Sequence, residues 1–300
     1  MRTDKEKFLK KKVLVWIELI KYKNKDFSIT RRGILFINIK SIFISIKRFS
    51  ISQSVLQLVH DHYEHYLLYY CGSFVACTNW KRVLMVATGK WPGNDPMEIP
   101  ADQAHSPGTF QRLTNYTLSE IERMLATYDK LIVVRHPLER LLSAYRNKLE
   151  AKHEKSSKYF QTRFGKKIIK RYRQNATVES LKNGDDVTFR EFVQFVTDDS
   201  SNETRNEHWK PIYELCHPCL VNYNLVSKYE SLVEDATEVL ERMGVDFPTK
   251  PVNSEPTAKK LEKYYSTLTY KQLRKLADLY KLDLRLFDYS LEDVLGFSLA

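Results

Sequence analysis

The feature that most constrains the fold is an apolar run that passes directly into an amphipathic segment, between Leu131 and Leu149. Residues 131–134 are Leu, Ile and Val alone, which is typical of a parallel strand buried on both faces. Pro137 suits the first turn of a helix, where its missing N–H group costs nothing. Apolar side chains then recur at helical spacing up to Leu149, so the segment predicts a strand followed by a helix.

Arg135 stands at the carboxyl end of this predicted strand, and Ser143 lies two helical turns further on. Open α/β sheets bind ligands at the carboxyl ends of their strands. The N–H groups and the dipole at a helix start favour an anion there. Arg135 and Ser143 are therefore candidate phosphate ligands, and the structural alternative is an ion pair between Arg135 and Glu139.

A second strand–loop–helix unit is predicted over residues 66–88. Its strand is Tyr66 to Tyr70, and its helix runs from Thr78 to Thr88 with Gly89 as its stop. The helix start offers a hydroxyl, an amide and two cations, which suit a phosphate-like group; these are Thr78, Asn79, Lys81 and Arg82. The nucleotide-kinase motif Gly-x-x-x-x-Gly-Lys-Ser/Thr is absent.

Further elements alternate in the same way along the chain. The patterns predict helices at 117–125, 188–196, 229–243 and 269–280, a third strand at 219–226, and a closing apolar segment at 284–289. A capping box is expected at Thr117 and Glu120, and Asp185 or Asp186 is expected to cap the helix at 188–196. Strands that alternate with helices predict an α/β fold with a parallel sheet flanked by helices.

Charge separates the chain into two parts. The whole chain holds 48 Lys and Arg against 37 Asp and Glu, but residues 1–50 alone hold 14 basic and 4 acidic residues. The other 250 residues hold 34 basic and 33 acidic residues, which argues against a nucleic-acid-binding protein. We therefore expect a basic N-terminal arm over residues 1–54 and one domain over residues 55–300. The basic run 163–173 is either a solvated face or a surface for a sulfated or carboxylated glycan.

The four cysteines leave two alternatives open. Cys71, Cys77, Cys216 and Cys219 would either bind zinc, for which the wide spacing of the first pair is poor, or form disulfides, which we favour. Three sequons agree with a secretory location, and they are Asn115-Tyr-Thr, Asn175-Ala-Thr and Asn202-Glu-Thr. The best membrane-span candidate, residues 33–46, is shorter than the ~20 apolar residues that a span needs.

Two motifs carry a specific resemblance. Cys77-Thr-Asn-Trp-Lys-Arg-Val-Leu84 and Val133-Val-Arg-His-Pro-Leu-Glu-Arg-Leu-Leu-Ser-Ala-Tyr-Arg146 resemble the two nucleotide-binding motifs of the Golgi carbohydrate sulfotransferases, closest in the branch of the chondroitin and dermatan 4-O-sulfotransferases and the HNK-1 sulfotransferase. The further matches are His208-Trp-Lys-Pro211, Cys216-His-Pro-Cys219, Lys228-Tyr-Glu230 and Asp283-Leu-Arg-Leu-Phe-Asp-Tyr289. They stand in family order, and the resemblance extends over residues 66–297.

The resemblance implies a P-loop-like sulfotransferase fold and the donor 3′-phosphoadenosine 5′-phosphosulfate, used without a metal. It implies a glycosaminoglycan or related glycan as acceptor, no nucleic-acid partner, and a Golgi membrane protein with a lumenal catalytic domain. Carried over to this sequence, Arg135 and Ser143 would bind the 3′-phosphate of the donor. The residues expected around the 5′-phosphosulfate are Ala76, Cys77, Thr78, Asn79, Trp80, Lys81 and Arg82.

Catalysis needs a general base and a cation on the transferring group. His105 lies between the two motifs, where related sulfotransferases place a base, and we propose it for that role. An exposed loop histidine without a catalytic role is the alternative. Lys81 is the candidate cation if its side chain points back into the cleft.

The sequence departs from the family just before the first motif. The family has Pro-Lys-x-Gly there, and its lysine contacts the transferring sulfate, whereas this chain has Ser73, Phe74, Val75 and Ala76. Loss of one transition-state cation predicts a rate lower by about 10²–10³-fold. A catalytically impaired relative that binds nucleotide or glycan only is therefore the second hypothesis. We also expect that the first ~75 residues come from a different start or exon choice, which would explain both this departure and the missing anchor.

Overall fold

The computed structural model describes residues 56–60, 66–70, 75, 77–152, 155–198, 200, 206–243 and 257–296. The chain divides into two compact units. The first unit comprises Met1–Val134 and Ile212–Pro251, and the second comprises Arg135–Pro211 and Val252–Ala300. The expected N-terminal arm lies outside the described residues. None of the helices in these ranges combines the length and the apolar character that a membrane span requires.

A five-stranded sheet forms the centre of the first unit. Its strands are β1 Leu56–His60, β2 Tyr66–Tyr70, β3 Gln111–Arg112, β4 Asp129–Val134 and β5 Leu225–Lys228. The strand order is β3-β1-β2-β4-β5. β2, β4 and β5 are parallel, as expected, but β1 pairs antiparallel with both β2 and β3. The sheet is mixed because five residues join β1 to β2, which is too short for a parallel crossover.

Fourteen α-helical segments are found in the described residues. In chain order they are α1 Cys77–Ala87, α2 Ala101–Ala104, α3 Leu118–Thr127, α4 Pro137–Tyr145, α5 Lys155–Phe160, α6 Lys166–Tyr172, α7 Val178–Asn183, α8 Phe189–Val196, α9 Ile212–Cys216, α10 Pro218–Val221, α11 Leu232–Arg242, α12 Thr257–Tyr265, α13 Tyr270–Phe287 and α14 Glu292–Leu295. Arg146–Glu150 and Gln161–Gly165 are π-helical turns that continue α4 and join α5 to α6. The 3₁₀ turns are Pro96–Glu98, Leu113–Asn115 and Tyr229–Ser231.

The two predicted strand–loop–helix units are confirmed. β2 is followed by α1 and β4 by α4, and β2 and β4 are parallel neighbours. The predicted capping box of α3 is also present, because Thr117 accepts from Glu120 N–H while the Glu120 carboxylate accepts from Thr117 N–H at 2.7 Å. These features were predictable because each depends on residues that are close together in sequence.

The predicted strand at 219–226 is wrong over its first six residues. Pro218 opens the short helix α10, and β5 begins only at Leu225. The helix is flanked by His217 and Asn222, both with left-handed φ, at 45° and 57°. A short apolar run does not distinguish a strand from a helical turn, and the proline at the first helical position decides for the helix.

The cap predicted for α8 is also wrong. Thr188, not Asp185 or Asp186, is the N-cap, and its Oγ1 accepts from Glu191 N–H at 3.2 Å. Asp186 instead forms an ion pair with Arg173 at 2.7 Å. A threonine three residues before a glutamate completes a capping box, which satisfies two N–H groups at once.

The apolar side chains form one core in each unit. In the first unit Trp80 and Leu84 of α1 pack with Leu131 and Val133 of β4. In the second unit α4 packs against α8, α12 and α13 around the fully buried Trp209. α13 extends to Phe287, so the closing apolar segment predicted at 284–289 is the last turn of this helix.

Candidate functional site

The start of α1 is positioned by the packing of its apolar side against the first core. Trp80 is only 3% exposed, so it serves this packing. Thr78 and Arg82 are half-buried and Asn79 is exposed, while Lys81 is 8% exposed and therefore buried. Burial of a lysine is costly unless its ammonium group has partners, which makes Lys81 the unusual residue of this helix.

His105 contacts two of these residues. It follows α2, and its Nε2 lies 3.0 Å from Thr78 Oγ1 while its Nδ1 lies 3.4 Å from Lys81 Nζ. An ammonium group can only donate, so Nδ1 is the acceptor, and Nε2 carries the proton and donates it to Thr78. His105 is exposed, but both nitrogens of its ring contact the start of α1, so it is not an isolated loop residue.

The charges around His105 set its protonation state. Partial burial, together with the nearby charges of Lys81 and Arg82, lowers the pKa of His105 below its ordinary 6.5. The imidazole is therefore neutral at pH 7 and able to accept a proton. Burial and the nearby Arg112 likewise lower the pKa of Lys81.

Arg82 offers an unused donor at the same place. Its Nη1 lies 3.5 Å from Asn79 Oδ1, at the limit of a hydrogen bond. Its Nε is buried and has no hydrogen-bond partner within the described part of the chain. A buried guanidinium N–H of this kind is well suited to an anionic oxygen.

Arg135 and Ser143 belong to the second unit. Arg135 Nε donates to Glu139 Oε2 at 3.1 Å, so the ion pair that was the structural alternative does form. Ser143 Oγ accepts from Asn147 Nδ2 at 3.4 Å. The contact with Glu139 holds the Nε of Arg135 along the first turn of α4.

The start of α4 is capped by a side chain rather than fully open. His136 Nδ1 accepts from Leu138 N–H at 3.2 Å, and its Nε2 lies 2.9 Å from Ser290 O. Since the carbonyl oxygen can only accept, Nε2 carries the proton. One of the N–H groups expected to favour an anion is thus already bonded to an imidazole.

The second arginine of this motif has a structural role. Arg140 is 2% exposed, and its Nη1 and Nη2 donate to the carbonyl oxygens of His208 and Lys210 at 3.3 and 2.6 Å. Tyr280 donates to the carbonyl oxygen of Trp209 between them, at 2.6 Å. The His-Trp-Lys-Pro segment is therefore held by three successive carbonyl groups.

The remaining predicted residues have mixed outcomes. Cys77 is buried at the start of α1, whereas Ser73, Phe74 and Ala76 lie outside the described residues. Cys216 and Cys219 are both thiols, so the disulfide predicted for them is not formed. Over the ranges that the structure describes, no group of His, Cys, Asp and Glu side chains is arranged to hold a metal ion.

Two residues that sequence reasoning missed stand out in the first unit. The charge of Arg112, on β3, lowers the pKa of Lys81. Ser227 of β5 is paired in register with Val133 of β4. Ser227 is 1% exposed, and its Oγ has no hydrogen-bond partner among the described residues. The signal for Ser227 was its position just before the Lys228-Tyr-Glu match, but nothing in the sequence near Arg112 marks it.

The helix after β2 thus begins with a buried lysine and a half-buried arginine, and the neutral imidazole of His105 contacts it there. This arrangement beside an α/β sheet is that of an anion-binding α/β protein. Residues 50–290 match the model of the sulfotransferase family, and the chain belongs to this family.

Named relatives agree with this assignment. Carbohydrate sulfotransferase 11 of Mus musculus is 43% identical over 238 residues, which are 77% of this chain and 67% of the relative. Carbohydrate sulfotransferase 14 of Danio rerio is 38% identical over 80% of this chain and 64% of its own length. Carbohydrate sulfotransferase 9 of Homo sapiens is 36% identical over 76% of this chain and 52% of its own length. No solved structure gives a significant match.

Proposed function

We propose that this chain is a carbohydrate O-sulfotransferase on a P-loop-like fold. It moves a sulfuryl group from 3′-phosphoadenosine 5′-phosphosulfate to a hydroxyl of a glycosaminoglycan or related glycan. The observation that carries the proposal is the meeting of Thr78, Lys81 and His105 at the start of α1, in a chain whose relatives are carbohydrate sulfotransferases.

The residues at the start of α1 fit the phosphosulfate end of this donor. Lys81 and Arg82 are cations, Thr78 adds a hydroxyl, and the unpartnered Arg82 Nε is a donor for an anionic oxygen. Arg135 and Ser143 are the proposed ligands of the 3′-phosphate. When bound, the donor supplies the activated sulfuryl group. Lys81 and Arg82 stabilise the charge that develops on the leaving phosphate, so the proposed reaction needs no metal.

His105 is the proposed general base, and Nδ1 is its reacting atom. Its Nε2 proton is already donated to Thr78, which holds the ring in this tautomer. Nδ1 becomes available when Lys81 turns from it towards the leaving phosphate. The acceptor oxygen then forms its bond to sulfur, its proton moves to Nδ1, and the bond between sulfur and the bridging phosphate oxygen breaks.

The transfer assay tests this function directly. Wild-type protein is incubated with labelled donor and desulfated chondroitin, beside His105→Ala and Lys81→Ala. Rapid transfer by wild type and a loss of about 10²-fold or more in each variant is the expected result. Transfer that is unchanged in His105→Ala would contradict the role of this residue.

The departure at Phe74 favours a second candidate function, a relative that binds nucleotide or glycan without turnover. Its signature is binding of adenosine 3′,5′-bisphosphate with no labelled product at any enzyme concentration. Robust turnover by the wild-type chain removes this candidate.

Donor binding is tested separately with a matched pair of arginines on α4 and its π turn. Arg135 and Arg146 each form an ion pair with a glutamate four residues later, at 3.1 and 3.6 Å. Arg135→Ala should weaken binding of adenosine 3′,5′-bisphosphate by roughly 10–100-fold, the value of a charged hydrogen bond. Arg146→Ala should leave it within about twofold. Calorimetric titration checks this, and equal affinities would remove Arg135 from the donor site.

We further propose a Golgi location with a lumenal catalytic domain, membrane association, a disulfide at Cys77 and N-linked glycans. The family resemblance supports the location, and Asn115 and Asn175 are exposed sequon residues. Expression in animal cells followed by enzymatic removal of N-linked glycans should shift the protein to lower mass. A single band that does not shift, outside the Golgi by immunofluorescence, contradicts this proposal.

A further inference from the structure

The helical segment from Lys155 to Tyr172 carries an unusual concentration of positive charge. It consists of α5, the π turn and α6, and its 18 residues include seven Lys and Arg and no Asp or Glu. This element therefore has a net charge of +7, whereas the rest of residues 51–300 has a net charge of −6, from 27 basic and 33 acidic residues. The element spans about 27 Å at 1.5 Å per residue.

The burial pattern assigns the charges to the outer side of this element. The residues that pack into the second core recur every three or four positions, and they include Phe160, Phe164, Ile168 and Ile169. The exposed basic residues lie on the opposite side, and we call them the cationic ridge; they are Lys155, Lys158, Arg163, Lys167, Lys170 and Arg171. The packing of this element into the second core therefore holds the backbone of the cationic ridge in place.

Three of the six charges of the cationic ridge are not paired with a carboxylate of the described residues. Arg171 forms an ion pair with Asp198 at 2.8 Å. Lys158, Arg163 and Lys170 form no ion pair with any carboxylate in the parts of the chain that the structure describes. Unpaired cations in a row raise the local concentration of a polyanion and contact it along its length.

An aromatic ring lies within the ridge. Tyr159 is 53% exposed, and the guanidinium of Arg163 lies 5.7 Å from the centre of its ring and 5.4 Å from that of Phe164. Contact with two rings orients the Arg163 guanidinium. An exposed phenol ring beside an oriented guanidinium offers an apolar face for a sugar ring and donors for its carboxylate.

We propose that the cationic ridge binds an acidic polysaccharide, so that the protein favours long, carboxylated acceptor chains over short or neutral glycans. The proposal rests on the proposed function and narrows its acceptor class. A membrane surface fits less well, because the apolar side of the element is buried in the core and cannot enter a bilayer. A nucleic acid fits less well, because the rest of residues 51–300 has a net negative charge.

The test uses two triple variants of equal charge change. The ridge variant is Lys158→Gln, Arg163→Gln and Lys170→Gln. The control variant is Lys182→Gln, Lys271→Gln and Lys275→Gln, which changes exposed lysines of α7 and α13. Binding of a fluorescent long chondroitin chain is measured without donor, next to a chondroitin tetrasaccharide and a carboxyl-reduced chain of the same length. Thermal unfolding confirms that both variants are folded.

The ridge variant should bind the long acidic chain roughly tenfold more weakly than wild type, since each exposed ionic contact is worth a factor of a few. The control variant should stay within about twofold. The slope of log affinity against log salt should become shallower in the ridge variant alone. Equal losses in both variants, or equal binding of acidic and carboxyl-reduced chains by wild type, overturn the proposal.

Competing ligands complete the experiment. Tighter binding of wild type to a DNA duplex or to phosphatidylserine vesicles than to chondroitin, lost in the ridge variant, overturns the choice of polysaccharide. Chain binding needs no sulfate transfer, so the two proposals fail separately. A ridge-dependent affinity without turnover contradicts the transferase activity alone, and turnover with ridge-independent affinity contradicts the ridge alone.

Discussion

At the scale of single residues, the protonation state of His105 decides whether it can act as the proposed base. Partial burial and the two neighbouring cations Lys81 and Arg82 all lower its pKa. The same cations that suit an anionic donor thus keep the imidazole unprotonated, and one cluster can hold the donor while supplying the base. The charge of Arg112 in turn lowers the pKa of Lys81.

This coupling predicts a change in pH dependence. The wild-type kcat/KM should fall on the acid side with an apparent pKa below the ordinary 6.5 of histidine, because the protonated imidazole cannot act as base. Lys81→Met removes a positive charge from beside His105, so the pKa of His105 rises and the acid limb moves to higher pH. Lys182→Met, which changes an exposed lysine of α7, should leave the limb in place. Rate profiles between pH 5 and 8 check this, and a limb that stays in place in Lys81→Met contradicts the coupling.

At the scale of elements, the N-cap of α8 is a local device with a measurable contribution. Thr188 Oγ1 accepts from Glu191 N–H at 3.2 Å, and the Glu191 carboxylate accepts from Thr188 N–H at 2.9 Å. Thr188→Ala should lower the free energy of unfolding by about 1 kcal/mol. Thr127→Ala, at an exposed helical position of α3, should change it by less than about 0.5 kcal/mol. Urea unfolding checks both, and equal effects would contradict the capping role.

The π turn between α5 and α6 depends on a glycine for a packing reason. A Cβ atom at Gly165 would lie 2.0 Å from the backbone oxygen of Gly184, which no side-chain adjustment relieves. Gly165→Ala should therefore cost at least about 1–3 kcal/mol, as overpacking of a core does. Thr162→Ala, at an exposed position of the same turn, should cost less than about 0.5 kcal/mol. Comparison of the urea midpoints tests this, and a neutral Gly165→Ala would contradict the close approach.

At the scale of the whole molecule, carboxylates of the second unit link stability to pH. Hydrogen bonds from Tyr172 and Ser200, with the nearby Arg171, lower the pKa of Asp198 to about 2. Burial raises the pKa values of Asp186 and Glu191, but their hydroxyl partners and Arg173 outweigh it and leave both lowered. A carboxyl group with a lowered pKa stabilises the fold above its unfolded-state pKa, and this stabilisation is lost as the pH falls through its folded-state pKa.

The contribution of these carboxylates to the free energy of unfolding should therefore be nearly constant from pH 7 to pH 5 and decrease from about pH 4 towards pH 2. Asp198→Asn removes one carboxyl group with a lowered pKa and should make this decrease shallower. It should also lower the free energy of unfolding at pH 7. Urea unfolding at several pH values measures the slope. A slope in Asp198→Asn equal to that of wild type would contradict the contribution of this carboxylate.

The amino-acid sequence by itself determined the local elements and the family. The strand and helix around Arg135, the helix after β2, the capping box of Thr117 and the two motifs depend on neighbouring residues, because hydrophobic period, capping and turn chemistry are local. Only the tertiary structure decided the pairing of β1 with β3, the contact of His136 with Ser290 O and the contacts of His105, because these join segments that are distant in the chain.

The candidate site too was determined in part by the sequence and in part by the tertiary structure. Residue types at the start of α1 predict an anion site, but the folded chain buries Lys81, directs it at an imidazole 24 residues away and pairs Arg135 with Glu139. Burial and the distances between charges exist only in the folded state, and they set which nitrogen of His105 carries the proton and how readily it accepts another. The sequence therefore determined which chemical groups are available, and the tertiary structure decided their ionisation and partners.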